Sequence, residues 1–246
     1  MFRWRTVLQA LNRPYPVTIP MVVLVSLVPF YILIPELLTD RTLHSPELAL
    51  DLAMPLRPAW ALVYGSLYLF LILLPVFVIR QEGQIRRTVQ AYLMVWITAY
   101  VCFLVYPTAA PRPAKVIGEG FIAWGLRFLY SADPPYNCFP SLHVAHSFVS
   151  ALACYRVHRG VGIAATFCAV LVGASTLFTR QHYVLDVIAG IFLACVAYAL
   201  FLRNPPREET PELDHRLAPV FALGLLGILG LGVACCWVAY QVSGGA

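Results

Sequence analysis

Seven apolar stretches, each long enough to cross a bilayer, decide what this chain can fold into. They lie at roughly 17–38, 59–79, 88–106, 142–158, 161–179, 183–202 and 217–240. A spanning helix needs about 17–25 such residues. Backbone held in hydrocarbon must satisfy its own hydrogen bonds, and a helix does that within one segment. Composition agrees: 60% of the 246 residues are hydrophobic, only 12% are charged and mean hydropathy is +0.76, whereas soluble domains carry about 25% charged residues. The expected fold is all-α, a polytopic membrane helical bundle forming a single integral membrane domain over 1–246. The first stretch follows Arg3, Arg5 and Arg13, as a signal peptide would. Its apolar part is longer than a signal core and no small-x-small cleavage site follows cleanly, so the reading is a retained helix.

Charge orients the bundle. The net charge is +5, and Lys115 is the only lysine. Basic residues favour the cytoplasmic side of short loops. With the N-terminus inside, inner segments hold eleven of the 17 Arg and Lys residues, while outer segments hold Arg41, Arg57, Arg112, Lys115, Arg127 and Arg180. The expectation is a multi-pass cell-membrane protein with a cytoplasmic N-terminus and its polar motifs on the outer (periplasmic or extracellular) face. Aromatic residues sit within apolar runs rather than among basic ones, so no nucleic-acid partner is expected.

The outer loop 107–141 is long and rich in proline, and within it Gly120 to Tyr130 reads as a short interfacial helix. The stretch 203–216 is an inner connector. Gly224, Gly227, Gly230 and Gly232 in the last span permit close helix contact, within the protomer or between protomers of a homo-oligomer. The seven cysteines form no CxxC pair and have no metal-ligand spacing. Most lie in apolar segments as small hydrophobes. Cys138, beside a polar motif, is expected to be accessible.

Two separated pieces carry the chemistry. Phe139-Pro140-Ser141-Leu142-His143 precedes the fourth span, and His182-Tyr183-Val184-Leu185-Asp186 opens the sixth. Ionisable groups at membrane helix ends are costly and point to function. His182 and Asp186 are four residues apart, hence on one helical face. The carboxylate would fix the imidazole tautomer and leave the second nitrogen free to attack. With His143 as a second imidazole, one ring could attack phosphorus and the other protonate the departing oxygen. Ser141, near the helix start, would cap the helix or touch a phosphate oxygen. Arg112 and Arg180 add guanidinium groups suited to a phosphate. His146, one turn beyond His143, reads as packing around the site, and His44, His158 and His215 have no partner pattern. His143, His182 and Asp186 could also hold a metal. Two arginines beside a dication argue against it, so neither metal nor cofactor is expected.

These motifs resemble the PAP2 phosphatase superfamily, the type 2 phosphatidic acid phosphatases, whose three motifs are KxxxxxxRP, PSGH and SRxxxxxHxxxD. Arg112-Pro113 matches the first, with Val105 at the lysine position. Pro140-Ser141-Leu142-His143 matches the second, with leucine for glycine. Ser175, His182 and Asp186 match the third, with Thr176 at the arginine position. The resemblance covers about 50–202 and implies a six-helix PAP2-like core, preceded by the span at 17–38 and followed by an additional C-terminal span at 217–240.

The resemblance implies His182 as nucleophile, Asp186 as its orienting group, His143 as general acid, and Arg112 and Ser141 as phosphate binders. Arg180, one helical turn from Thr176 if the helix continues, is the candidate replacement for the missing arginine. The expected function is a membrane lipid phosphatase acting through a phosphohistidine on a phospholipid or isoprenoid phosphate at the outer leaflet. The Phe-Pro-Ser-Leu-His and Gln-His-Tyr-Val-Leu-Asp segments resemble the branch that includes inositol phosphorylceramide synthases, so a lipid phosphotransferase is the alternative. Leu142 and Val105, in place of glycine and lysine, would favour it by drying the site. A non-enzymatic lipid transporter is a further alternative. It is disfavoured because the charges gather at one face instead of lining the spans.

Overall fold

A computed structural model of the chain describes residues 19–36, 41–133, 135–204 and 212–242. Arg3, Arg5, Arg13 and Arg207, on which part of the orientation argument rests, lie outside these residues, as does the choice between signal peptide and retained N-terminus. Helix is the regular secondary structure of the described residues, joined by loops, with one isolated bridge between His44 and Thr108 as their only β-type pairing.

The helices are α1 (Ile19–Glu36), α2 (Ala49–Ala53), α3 (Trp60–Val78), α4 (Glu82–Val105), α5 (Phe121–Ala132), α6 (Leu142–Val157), α7 (Arg159–Phe178), α8 (Val184–Ala197) and α9 (Glu212–Val242). A π-helical turn, Tyr198–Arg203, continues α8. Among the described residues, five helices are long and apolar enough to cross a membrane: Trp60–Val78, Glu82–Val105, Arg159–Phe178, Val184–Arg203 and Asp214–Val242. This is a multi-pass membrane protein.

Helix α6 is the axis of the bundle. It has only 16 residues and packs on α3, α4, α7 and α8. Twelve of its residues are buried, which explains why a run interrupted by His143, His146, Ser147 and Ser150 is still helical at the centre. The hydrophobic core around it is built from Leu71 and Leu74 of α3, Val95 and Ala99 of α4, Val149 and Ala153 of α6, and Ala169 and Val172 of α7. Small residues set the α6–α8 approach. A methyl group placed on Gly190 would sit 2.6 Å from the Ser141 carbonyl oxygen, inside van der Waals contact.

Several boundaries differ from the sequence reading. Helix α4 starts at Glu82 rather than near 88, because its polar first turns, with Arg86 paired to Glu82 at 3.2 Å, are helical too. Helix α7 ends at Phe178, and Arg180 adopts a left-handed backbone with φ of 54°. Thr176 and Arg180 therefore do not share a helical face. The interfacial helix is present as α5, entered through Gly120 at φ of 90°, a conformation that suits glycine.

Candidate active site

Four segments meet at one end of α6: the loop after α4, the end of α5, the start of α6 and the α7–α8 turn. Ser141 caps α6, its hydroxyl accepting from Val144 N at 3.4 Å, and its own N–H donates to the Asp186 carbonyl at 3.0 Å. This ties the start of α6 to the first turn of α8. His143 follows, one residue into the helix. Ser141 is fully buried and its oxygen is engaged in the cap, so its first job is to hold His143 in place.

His182 stands just before α8, not on it. Asp186, in the helix's first turn, accepts from Tyr183 N at 2.8 Å and reaches back to His182 Nδ1 at 3.3 Å. A carboxylate in a first turn also suits the helix dipole. The second nitrogen of His182, Nε2, lies 3.4 Å from His143 Nδ1. The second nitrogen of His143, Nε2, lies 3.9 Å from Asp133 Oδ2. The result is a continuous row, Asp186–His182–His143–Asp133, with a carboxylate at each end. Asp133 also accepts from Tyr31 Oη at 2.7 Å and Tyr64 Oη at 3.1 Å.

Arg112 joins the row from the loop after α4. Its Nη1 donates to the Tyr130 carbonyl at 3.0 Å, its Nη2 donates to the Gln181 side-chain oxygen, and Nη2 lies 3.9 Å from Asp133 Oδ2. The guanidinium also sits over the Tyr130 ring, 4.7 Å from its centroid. Two donors of this cluster, Arg112 Nε and Gln181 Nε2, are buried with no hydrogen-bond partner among the described residues. A buried donor without an acceptor is costly and rare. Burial pushes the Tyr130 hydroxyl up to about 12, against the pull of Arg112 and Arg180.

Arg180 is placed differently. Its Nη1 donates to the Asp51 carbonyl at 3.0 Å and its Nη2 to the Met54 carbonyl. Asp51 in turn accepts from Val184 N at 2.8 Å, capping α8 from a distance of 133 residues. Arg180 thus fastens α2 to the turn that carries His182. Thr176 bonds its own helix at the Gly173 carbonyl, 2.8 Å. Val105 is 77% exposed, so its replacement of a lysine does not dry the site, whereas Leu142 is buried beside it. His146 packs among Tyr68, Tyr92 and Trp96, as read from the sequence. His158, read as partnerless, caps α7 through Val161 N at 3.2 Å and lies 4.5 Å from the His215 ring.

Cys138, expected to be accessible, is buried at 2% exposure. Burial first, then the Asp186 and Asp133 carboxylates, hold its thiol well above the usual range. Asp133, Gln181, Tyr31 and Tyr64 were not singled out by sequence. Their residue types are ordinary and their partners lie far away in the chain. The one available signal was Gln181, adjacent to His182 in the third motif.

Comparison with known proteins identifies relatives of this chain. The chain is 28% identical over 132 residues to a PA-phosphatase related-family protein of Dictyostelium discoideum, a match covering 47% of this chain and 24% of that protein. The chain therefore spans about a quarter of the length of that curated relative. No solved structure matches it. The model of the PAP2 superfamily matches residues 43–200, well over half the chain and the stretch that holds both histidines, both carboxylates and Arg112, and this protein belongs to that superfamily.

Proposed function

We propose that this protein is a lipid phosphatase that works through a phosphohistidine at His182. The observation that carries the reading is the pair of unpartnered buried donors, Arg112 Nε and Gln181 Nε2, beside two facing imidazoles. A phosphate oxygen supplies the acceptors those donors lack. Asp186 accepts a hydrogen bond from the Nδ1–H of His182, which keeps the proton on Nδ1, leaves the Nε2 lone pair free to attack phosphorus and stabilises the positive charge the ring then gains. The bond from phosphorus to the lipid oxygen breaks, and His143 donates its proton to that oxygen. Water then attacks the phosphohistidine, giving its proton to His143, and inorganic phosphate leaves. The two ring nitrogens stand 3.4 Å apart, so the entering phosphoryl group parts them.

Asp133 lies beside His143 at 3.9 Å, a looser counterpart of the 3.3 Å contact between Asp186 and His182. Arg112 and Gln181 bind phosphate in this account, Ser141 positions His143, and Arg180 acts from behind by fixing the α7–α8 turn. The site faces the outer side of the cell membrane, on the arginine asymmetry, and the substrate is a phospholipid or isoprenoid phosphate reached from the membrane. No cofactor takes part. The PAP2-like core covers about 50–202, within a single membrane domain of 1–246.

Transfer to a lipid alcohol, as in the branch resembling inositol phosphorylceramide synthases, is the second reading. The buried Leu142 next to His143 favours it, and the exposed Val105 does not. The purified protein should be given labelled phosphatidic acid, isoprenyl diphosphate and phosphatidylinositol, each with and without ceramide or diacylglycerol. Free phosphate as the main product throughout supports hydrolysis. A phosphodiester formed in proportion to one alcohol, at the expense of phosphate, overturns it.

A further inference from the structure

We infer that Cys138, His182 and Asp186 form a binding site for a soft divalent cation of the zinc class, which blocks the proposed nucleophile. Ligand atoms of these three residues lie within 4.8 Å of one another. All three are buried, at 2%, 4% and 0% exposure. Asp186 Oδ1 is buried without a hydrogen-bond partner among the described residues, although Oδ2 of the same carboxylate has two. An acceptor oxygen left over beside a thiol and an imidazole is what a cation would use.

The chemistry of the donor set selects the metal. Sulfur, nitrogen and oxygen together suit zinc or cadmium over magnesium or calcium, which take oxygen ligands. A thiolate and a carboxylate neutralise a dication. Binding replaces the thiol hydrogen of Cys138, which leaves as a proton, so charge balances without an oxidant or reductant. Zinc ligands sit about 2.0–2.3 Å from the metal, so the three atoms must close in by roughly an ångström from their present spacing. In doing so Cys138 would give up a long 3.5 Å thiol donation to the Pro135 carbonyl. Sequence spacing hides the site because Cys138 precedes α6 while the other two ligands flank the start of α8.

Metal binding at these atoms is independent of the phosphatase reading; the block on turnover rests on it. The test uses a variant in which Cys138 is the single thiol, the other six cysteines being alanine. Cadmium titration of this variant should give a thiolate-to-cadmium absorption band that saturates at one equivalent. His182→Ala in the same background should weaken binding at least tenfold. Absence of a band at one equivalent overturns the site, and so does a band indifferent to His182→Ala. Zinc should stop phosphate release by the wild-type protein over the concentration range in which the site fills, and a chelator should restore it. Saturated metal binding with undiminished phosphate release would leave the site standing and refute His182 as the nucleophile.

Discussion

Gly190→Ala tests whether the α6–α8 contact sets the geometry of the histidine pair. The added Cβ would lie 2.6 Å from the Ser141 carbonyl oxygen, 3.2 Å from Val144 Cβ and 3.3 Å from Ala145 N, and two of these are backbone atoms that cannot rotate away. Ordinary contact begins near 3.4 Å, so the helices must part by about 0.8 Å. Overpacking of this kind costs about 1–3 kcal/mol, and each kcal/mol moves Tm by about 2–4 °C in a chain of this size. The same displacement acts on His143, in the first turn of α6, and on His182, just before α8. A misplacement near 1 Å at reacting groups costs about 10²-fold. Phosphate release per folded molecule should fall by one to two orders of magnitude, measured on the monodisperse fraction beside its melting curve. Gly162→Ala is the control. Its Cβ would meet Tyr155 Cα at 2.3 Å, but at the α6–α7 turn, at the far end of α6 from the histidines. It should lower Tm comparably and spare the rate of the folded fraction. A Gly190→Ala protein that is less stable but fully active would refute the argument.

Further outcomes follow from the site and from the charge asymmetry. Arg112→Lys should raise KM about tenfold or more with a smaller change in kcat, because lysine lacks the fork that serves Gln181 and a phosphate together; Arg180→Ala should lower Tm with KM nearly unchanged, and a raised KM at unchanged Tm would return Arg180 to the phosphate. Asp133→Asn should slow release of poor leaving groups more than good ones and alter the pH–rate profile, whereas a uniform loss across leaving groups would reduce Asp133 to a structural role. In intact cells an impermeant thiol reagent should label a cysteine introduced at Lys115 and not one at Arg86, and the opposite pattern would place the site on the inner face.

Much of this was legible in the chain because its strongest signals are local. The apolar runs map onto α1, α3, α4, α6, α7, α8 and α9, since helix formation in a membrane depends on the segment itself. His182 with Asp186 and Ser141 with His143 are neighbours in sequence. Their junction, the 3.4 Å contact between two histidines 39 residues apart, was inferable only through their motifs. Asp133 could not be read, because what gives it meaning is Tyr31 at a separation of 102 residues and Tyr64 at 69. Arg180 misled for the opposite reason. Helical spacing aligned it with Thr176, but the chain turns left-handed at that residue and the side chain binds the carbonyls of Asp51 and Met54. Cys138 looked exposed because it lies in a polar loop, and the fold tucks that loop under the start of α6.

A covalent bond from phosphorus to His182 is the step that hydrolysis and transfer share. Purified protein should be mixed with a labelled phospholipid or isoprenyl phosphate, quenched in alkali, which preserves phosphohistidine, and mapped by mass spectrometry. Label is expected on the peptide containing His182, absent in His182→Ala and accumulating in any variant that slows the water step. Turnover without label on that peptide, or label on the peptide containing His143 in its place, would contradict it.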